Sequence, residues 1–342
     1  MKKILAIETS CDDTSVGIVR LEDNHFFVDV LHTYTQVIHQ QYGGVVPELA
    51  SRKHAEKIIA VLNHIGWDAI QEVDAIAVTT IPGLPGSLVI GKTTAQFLGA
   101  WFKKPVLPVN HIYGHIFSIL LERDVSSIQF PYVVLTASGG HNDIYVVSDT
   151  LLESAEYDVV QCGQYSLMKI WWTRDDASWE CFDKVSRMLG GPYPWWAWIG
   201  QQALQWKKNV LVSFRPTFLS HDSYEFSFSW MKSQVHNLLE KFARDWVVLD
   251  EQIIADISYT FQETVVEMLV KKLVQAALEY DAKTIGVVWW VSANARLWEY
   301  VQSHATKKIQ QDIVILKPIK HIYSTDNAAM IGVVGVLNSY ES

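Results

Sequence analysis

The stretch Lys3-Ile4-Leu5-Ala6-Ile7-Glu8-Thr9-Ser10-Cys11-Asp12-Asp13-Thr14-Ser15-Val16-Gly17-Ile18-Val19-Arg20-Leu21 decides the fold class. Two apolar runs, Lys3 to Thr9 and Ser15 to Leu21, flank one polar turn, a pattern that predicts a β-hairpin. A third strand is expected over Phe26 to Thr35. From Pro47 to Gly66 the apolar positions Leu49, Ile58, Ile59, Leu62 and Ile65 follow helical spacing, with proline near the start and glycine at the stop. A strand (Ala75 to Thr80), a Pro-Gly turn, a helix from Ser87 and a strand (Val106 to Val109) follow. The alternation is that of an α/β protein.

The pattern restarts after the charged stretch Glu122-Arg123-Asp124, so a lobe boundary is expected near residue 125. Beyond it the sequence predicts strands at Tyr132–Ala137 and Ile144–Val147, then helices around Ala177–Leu189 and Glu251–Tyr280, the second with Asp250 as its N-cap. Strands at Thr284–Val288 and Asp312–Leu316 bracket a helix starting near Ala293. A last helix begins at Asn327. The expected division is a first lobe over 1–125, joined by a C-terminal helix within 327–342 that packs back on it, and a second lobe over 126–326.

A chain of 342 residues with 49% hydrophobic and 19% charged residues is folded and long enough for two lobes. No apolar run approaches the roughly 18 residues that cross a bilayer, so no membrane contact is expected. Three cysteines at unrelated spacings (Cys11, Cys162, Cys181) point to a reducing, cytoplasmic setting. The formal net charge of −9 argues against nucleic-acid binding over a wide surface. Any such contact needs local patches such as Arg52-Lys53 with Lys57, Lys103-Lys104 or Lys207-Lys208.

Chemistry concentrates in four segments. Pro108-Val109-Asn110-His111-Ile112-Tyr113-Gly114-His115 places two imidazoles four residues apart beside a strand end. On a helix they share one face and can share a divalent metal, although such pairs are commonly ordinary helix residues. Ser138-Gly139-Gly140-His141 follows a strand, where successive glycines can form an amide cradle for phosphate or carboxylate oxygens or simply turn the chain. Asp12-Asp13 occupies the first hairpin turn. Asp326, in Ser324-Thr325-Asp326-Asn327, reads by itself as a helix N-cap.

Tryptophan and glycine are distributed abnormally. Of 14 tryptophans, 12 lie between Trp171 and Trp298, and no glycine occurs from Gln201 to Ile285. An average share of about 7% would give roughly 24 glycines; the chain has 18. Pairs such as Trp195-Trp196 and Trp289-Trp290 fall at turns, where glycine adopts positive φ at little cost. A source that reads UGA as glycine, translated with a table that reads it as tryptophan, gives this pattern. A divergent, tryptophan-rich lobe is the alternative.

Over its whole length the chain resembles the TsaD/Gcp family, the tRNA N6-adenosine threonylcarbamoyltransferases. The motifs are Ile7 to Thr14, Tyr42 to Arg52, Pro82-Gly83-Leu84, the histidine pair, Ser138 to His141, Phe182-Asp183-Lys184, Phe226 to Ser229, Val291 to Asn294 and Thr325-Asp326-Asn327, in the family's order. Where the family has glycine this chain has Trp171, Trp179, Trp195, Trp196, Trp230, Trp289 and Trp290, and Ile81 and Ala328 are smaller departures. The resemblance implies a two-lobed actin-like, sugar-kinase-like ATPase fold with duplicated ribonuclease-H-like lobes.

It also implies a site. His111, His115 and Asp326 would bind one divalent metal, iron ahead of zinc. Thr136, Ala137, Ser138, Gly139, Gly140, His141, Asp183, the position of Trp196, and Asn294 would bind substrate; Asp12 would orient or catalyse. The implied reaction moves a threonylcarbamoyl group from threonylcarbamoyl-AMP to N6 of adenosine 37 in tRNAs reading codons that begin with A. A TsaB-type paralogue and a TsaE-type ATPase are the implied partners. A small-molecule kinase of the same fold would explain the phosphate motif but not the histidine pair. A metalloprotease needs Glu directly after the first histidine, where this chain has Ile112. An inactive scaffold lobe within a larger complex is the non-enzymatic reading.

Overall fold

The computed structural model describes the chain except residues 138–141, 174, 176, 193–194, 208–211, 216–227, 290–293, 310–311 and 340–342. The first lobe is built from β1 (Lys2–Glu8), β2 (Asp13–Glu22), β3 (His25–Thr35), α1 (Pro47–Ile65), α2 (Trp67–Gln71), β4 (Ala75–Ile81), α3 (Pro85–Phe102), β5 (Val106–Asn110) and α4 (His111–Phe117). Its sheet has the order β3-β2-β1-β4-β5. The first three strands are antiparallel, with Ile4 opposite Val19 and Glu8 opposite Ser15, and β1, β4 and β5 are parallel.

The run Ile4-Leu5-Ala6-Ile7 is apolar throughout because both faces of β1 are covered. Successive residues point to opposite faces. Ile4 and Ala6 join one buried cluster, and Leu5 and Ile7 join another with Ile58, Leu62 and Leu98 of α1 and α3.

The second lobe repeats the plan. It contains β6 (Tyr132–Ala137), β7 (Asn142–Ser148), β8 (Val159–Cys162), β9 (Tyr165–Trp172), α5 (Ser178–Met188), α6 (Trp195–Ala203), α7 (Ser229–Arg244), α8 (Glu251–Glu279), β10 (Thr284–Val288), α9 (Ala295–Lys308) and β11 (Val314–Leu316), after which the chain ends in α10 (Ala328–Asn338). Its sheet order is β11-β10-β6-β7-β9-β8. Here β9, β7 and β6 are antiparallel and β6, β10 and β11 parallel, matching β3, β2, β1, β4 and β5 strand for strand. β8 is an addition at the edge.

α8 is capped by the Asp250 side chain, which accepts the Ile253 N–H at 2.8 Å. α10 crosses onto the first sheet. Its glycines allow close approach: a Cβ at Gly335 would lie 2.6 Å from that of Ala77, and one at Gly332 2.7 Å from Val19.

The duplication positions the site. α4 follows the last parallel strand of the first sheet and α10 follows that of the second. Each begins with an asparagine cap: Asn110 accepts from Ile112 N–H, and Asn327 from Met330 N–H. Asp326 is therefore not the cap, contrary to its reading in isolation; Asn327 takes that role and leaves the carboxylate available. The β8–β9 hairpin, α6 and α7 are elements that periodicity did not assign.

Candidate metal centre

His111 opens α4 and His115 follows one turn later on the same face. Their Nε2 atoms are 3.2 Å apart. Asp326 Oδ1, arriving from the start of α10, lies 3.1 Å from His115 Nε2 and 3.5 Å from His111 Nε2. One ligand atom from each of the three residues falls within 4.8 Å of the others. The three groups thus come from equivalent corners of the two lobes.

Glu8, at the end of β1, completes the centre from behind. It is fully buried, and its Oε2 lies 2.9 Å from His111 Nδ1. Thr79 Oγ1 donates to the same oxygen at 2.5 Å, and Ser10 N–H donates to Oε1 at 2.5 Å. Sequence reasoning missed this role because Glu8 and His111 lie far apart in the chain. The available signal was a carboxylate directly after the apolar run Ile4 to Ile7.

Electrostatics separates the two imidazoles. Burial opposes the charged form of His111, but Glu8 and Asp326 outweigh it and push its pKa up to about 10. Burial, and then the positive charge of His111, pull His115 down to about 4 despite its hydrogen bond to Asp326. Burial alone would raise both carboxyls; the charge on His111 instead holds Glu8 and Asp326 below the ordinary carboxylate range. Two carboxylates therefore face one imidazolium, and a divalent cation can replace the shared proton. Two imidazole nitrogens and one carboxylate suit iron or zinc and leave positions for substrate oxygens.

Trp289 covers this centre. Its indole stacks on His115 with ring centroids 3.8 Å apart and planes 16° apart, and meets His111 edge-on at 5.1 Å. The residue follows β10 directly and has φ +71°, a conformation that suits glycine and is a marked outlier for an aromatic residue.

The other described residues of the expected site lie on separate elements. Asp12 lies in the β1–β2 turn, where burial, then the charge of Asp326, raise its pKa. Thr136 and Ala137 end β6, both buried, and Thr136 Oγ1 donates to the Asp143 carbonyl at 3.3 Å. Asp183 is on α5. Asn294 caps α9, accepting the Leu297 N–H at 3.2 Å, and borders a small, mainly apolar pocket of about 10 Å³ with Ser178 and Phe182. Ser138, Gly139, Gly140 and His141 lie outside the described residues, as does the side chain of Trp196; the backbone of Trp195 and Trp196 opens α6, so this pair starts a helix and does not sit in the turn that the sequence suggested.

Two ribonuclease-H-like lobes with a polar centre between them define the actin-like, sugar-kinase-like ATPase fold. Solved structures agree on the fold. HypF from T. kodakarensis matches with a TM-score of 0.59 at 12% identity, over 99% of this chain and 48% of that one. The activator of 2-hydroxyisocaproyl-CoA dehydratase from Clostridium difficile, with bound ADPNP, matches with a TM-score of 0.51 at 10% identity, over 99% and 97%.

The family model described as "TsaD: tRNA N6-adenosine threonylcarbamoyltransferase" matches residues 29–333. Proteins of that name from Staphylococcus aureus strains Newman and JH9 are each 38% identical over 335 residues, covering 97% of this chain and 90% of theirs. The chain belongs to the TsaD family, and its activity is threonylcarbamoyl transfer to N6 of adenosine in tRNA. Among the described residues no helix is long and apolar enough to cross a membrane.

Proposed function

We propose that His111, His115 and Asp326 hold one divalent cation, iron ahead of zinc, and that the transfer takes place beside it. The donor is threonylcarbamoyl-AMP and the acceptor adenosine 37 of tRNAs reading codons that begin with A. The observation that carries this reading is the convergence of three ligand atoms within 4.8 Å from the starts of two equivalent helices. When bound, the cation supplies Lewis acidity toward the carbamoyl oxygen.

The chain's own residues do the rest. Thr136 to His141 bind the acyl phosphate at the end of β6, and Asp183, the position of Trp196, and Asn294 take the nucleoside. N6 forms a bond to the carbamoyl carbon, the carbon–oxygen bond to phosphate breaks, and AMP leaves. Asp12, with its raised affinity for protons, accepts the proton that N6 loses. Holding two reactants in line and excluding water provides most of the acceleration. A TsaB-type paralogue and a TsaE-type ATPase complete the system, which works in the cytoplasm.

The test is incorporation of labelled threonine into tRNA by the full chain with its partners. Stripping the cation, or Asp326→Ala, should lower the rate by about 10³-fold, corresponding to several kcal/mol of charge stabilisation. Full activity in rigorously metal-free protein refutes the cation reading.

A further inference from the structure

The geometry points to Glu8 as the positioning residue that fixes His111, through its Nδ1, so that Nε2 is the atom offered to the cation. This inference rests on the proposal that His111, His115 and Asp326 form a cation site. Glu8 never touches the cation or the substrate; it acts through the ring of His111.

The two oxygens of Glu8 meet three donors. Ser10 N–H reaches Oε1, while Thr79 Oγ1 and His111 Nδ1 reach Oε2. The carboxylate is fully buried at the end of β1, so backbone and strand β4 fix its orientation. An Nδ1–H committed to Glu8 leaves Nε2 facing His115 Nε2 and Asp326 Oδ1, where the cluster converges. Ser10 Oγ also approaches Nδ1, but at 3.2 Å against 2.9 Å for Glu8.

His115 has no such anchor. Its Nδ1 is buried and has no hydrogen-bond partner among the described residues, and its ring is held by packing against Trp289. The cluster is therefore asymmetric: a carboxylate anchors the Nδ1 of His111, while His115 is held by Trp289 packing and by the Asp326 contact at its Nε2 alone.

Glu8→Gln tests this sharply, because an amide presents one acceptor and one donor to three donors. With its NH2 toward His111, the ring must accept at Nδ1 and carry its proton on Nε2, the tautomer that cannot ligate. With its NH2 toward Ser10, two N–H groups collide. Zn²⁺ affinity of the full chain, measured against a competing chelator, should fall 10–100-fold in Glu8→Gln, the usual cost of losing such a partner. Ser10→Ala, which removes the longer contact, should change it less than about twofold on the same scale.

A second measurement needs no variant. In Zn²⁺-loaded protein with labelled histidine, nitrogen NMR should show the Nδ1 of His111 protonated and its Nε2 bound to metal. Equal Zn²⁺ affinity of Glu8→Gln and the parent chain overturns the role of Glu8 alone. Loss of affinity in Ser10→Ala but not Glu8→Gln, or an unprotonated His111 Nδ1, does the same. Failure of the parent chain to bind Zn²⁺ overturns the cation site and this inference with it.

Discussion

The first-lobe half of the centre and the second-lobe surface that faces it obey different rules. Around Glu8, His111 and Asn110, residue type, backbone and hydrogen bonds agree: a capped helix start, a buried carboxylate with a full set of donors, and two imidazoles on one face. Across the cleft, Trp289 holds a large ring in a left-handed backbone and lays it over His115. Natural sequences are locally consistent with their folds, so a bulky aromatic ring in a left-handed backbone over the candidate metal centre marks the residue, not the fold, as the anomaly. The same lesson recurs at Trp246, the other tryptophan with positive φ among the described residues.

Trp289→Gly probes that contrast with the largest expected effect. The substitution removes the indole from above His115 and supplies the residue that tolerates φ +71°. Displacements of about 1 Å in a reacting pair cost about 10²-fold, so threonylcarbamoyl transfer should rise by about that factor. Threonine incorporation by the two proteins, compared at equal metal loading, measures it, and equal rates would erase the contrast. Reading the codons is the companion observation. UGA at positions 195, 196, 289 and 290 would identify these residues as glycine in the cell, whereas UGG would establish a tryptophan-rich lobe.

A smaller effect belongs to the ordered half. In metal-free protein, the raised pKa of His111 contributes stability that is fully present below its ordinary value of 6.5 and is lost as pH rises through about 10. The lowered pKa of His115 acts oppositely, costing stability as pH falls from 6.5 toward about 4. Melting temperatures in chelator should therefore drop between pH 6.5 and 10, and drop less in His111→Gln. Parallel curves for the two proteins would remove His111 from the account.

How much of this was legible in the sequence follows from what each feature depends on. The hairpin of β1 and β2 and the helices α1 and α8 were readable because their apolar positions and end signals are local. The histidine pair was readable because four residues is one helical turn. The function of Asp326 was ambiguous from spacing alone, since either it or Asn327 could cap α10; only the backbone assigns the cap to Asn327. Glu8 was illegible as an anchor because strand order, not sequence distance, brings it to His111. α7 was locally legible as well: Met231, Val235, Leu238, Leu239 and Phe242 recur at helical spacing and pack on the second lobe's core, a stripe that the sequence reading passed over.

Trp246→Gly offers the smallest and cleanest test, since Trp246 is exposed to solvent just past the end of α7. α7 ends in a paired turn: Val247 N–H reaches the Phe242 carbonyl at 2.8 Å and Trp246 N–H reaches that of Ala243 at 3.3 Å. That closure requires a left-handed residue just past the helix, a position where glycine predominates. Trp246 occupies it with φ +56° and is 91% exposed, so its side chain contributes almost no packing. Glycine relieves about 1–2 kcal/mol of left-handed strain and returns part of it as unfolded-chain entropy, for a net gain of about 1 kcal/mol. In a chain of this size that is about 2 °C in melting temperature. A fall instead would show that tryptophan is tolerated there without cost, and the glycine reading of the second lobe would then have to rest on position 289 without support from this turn.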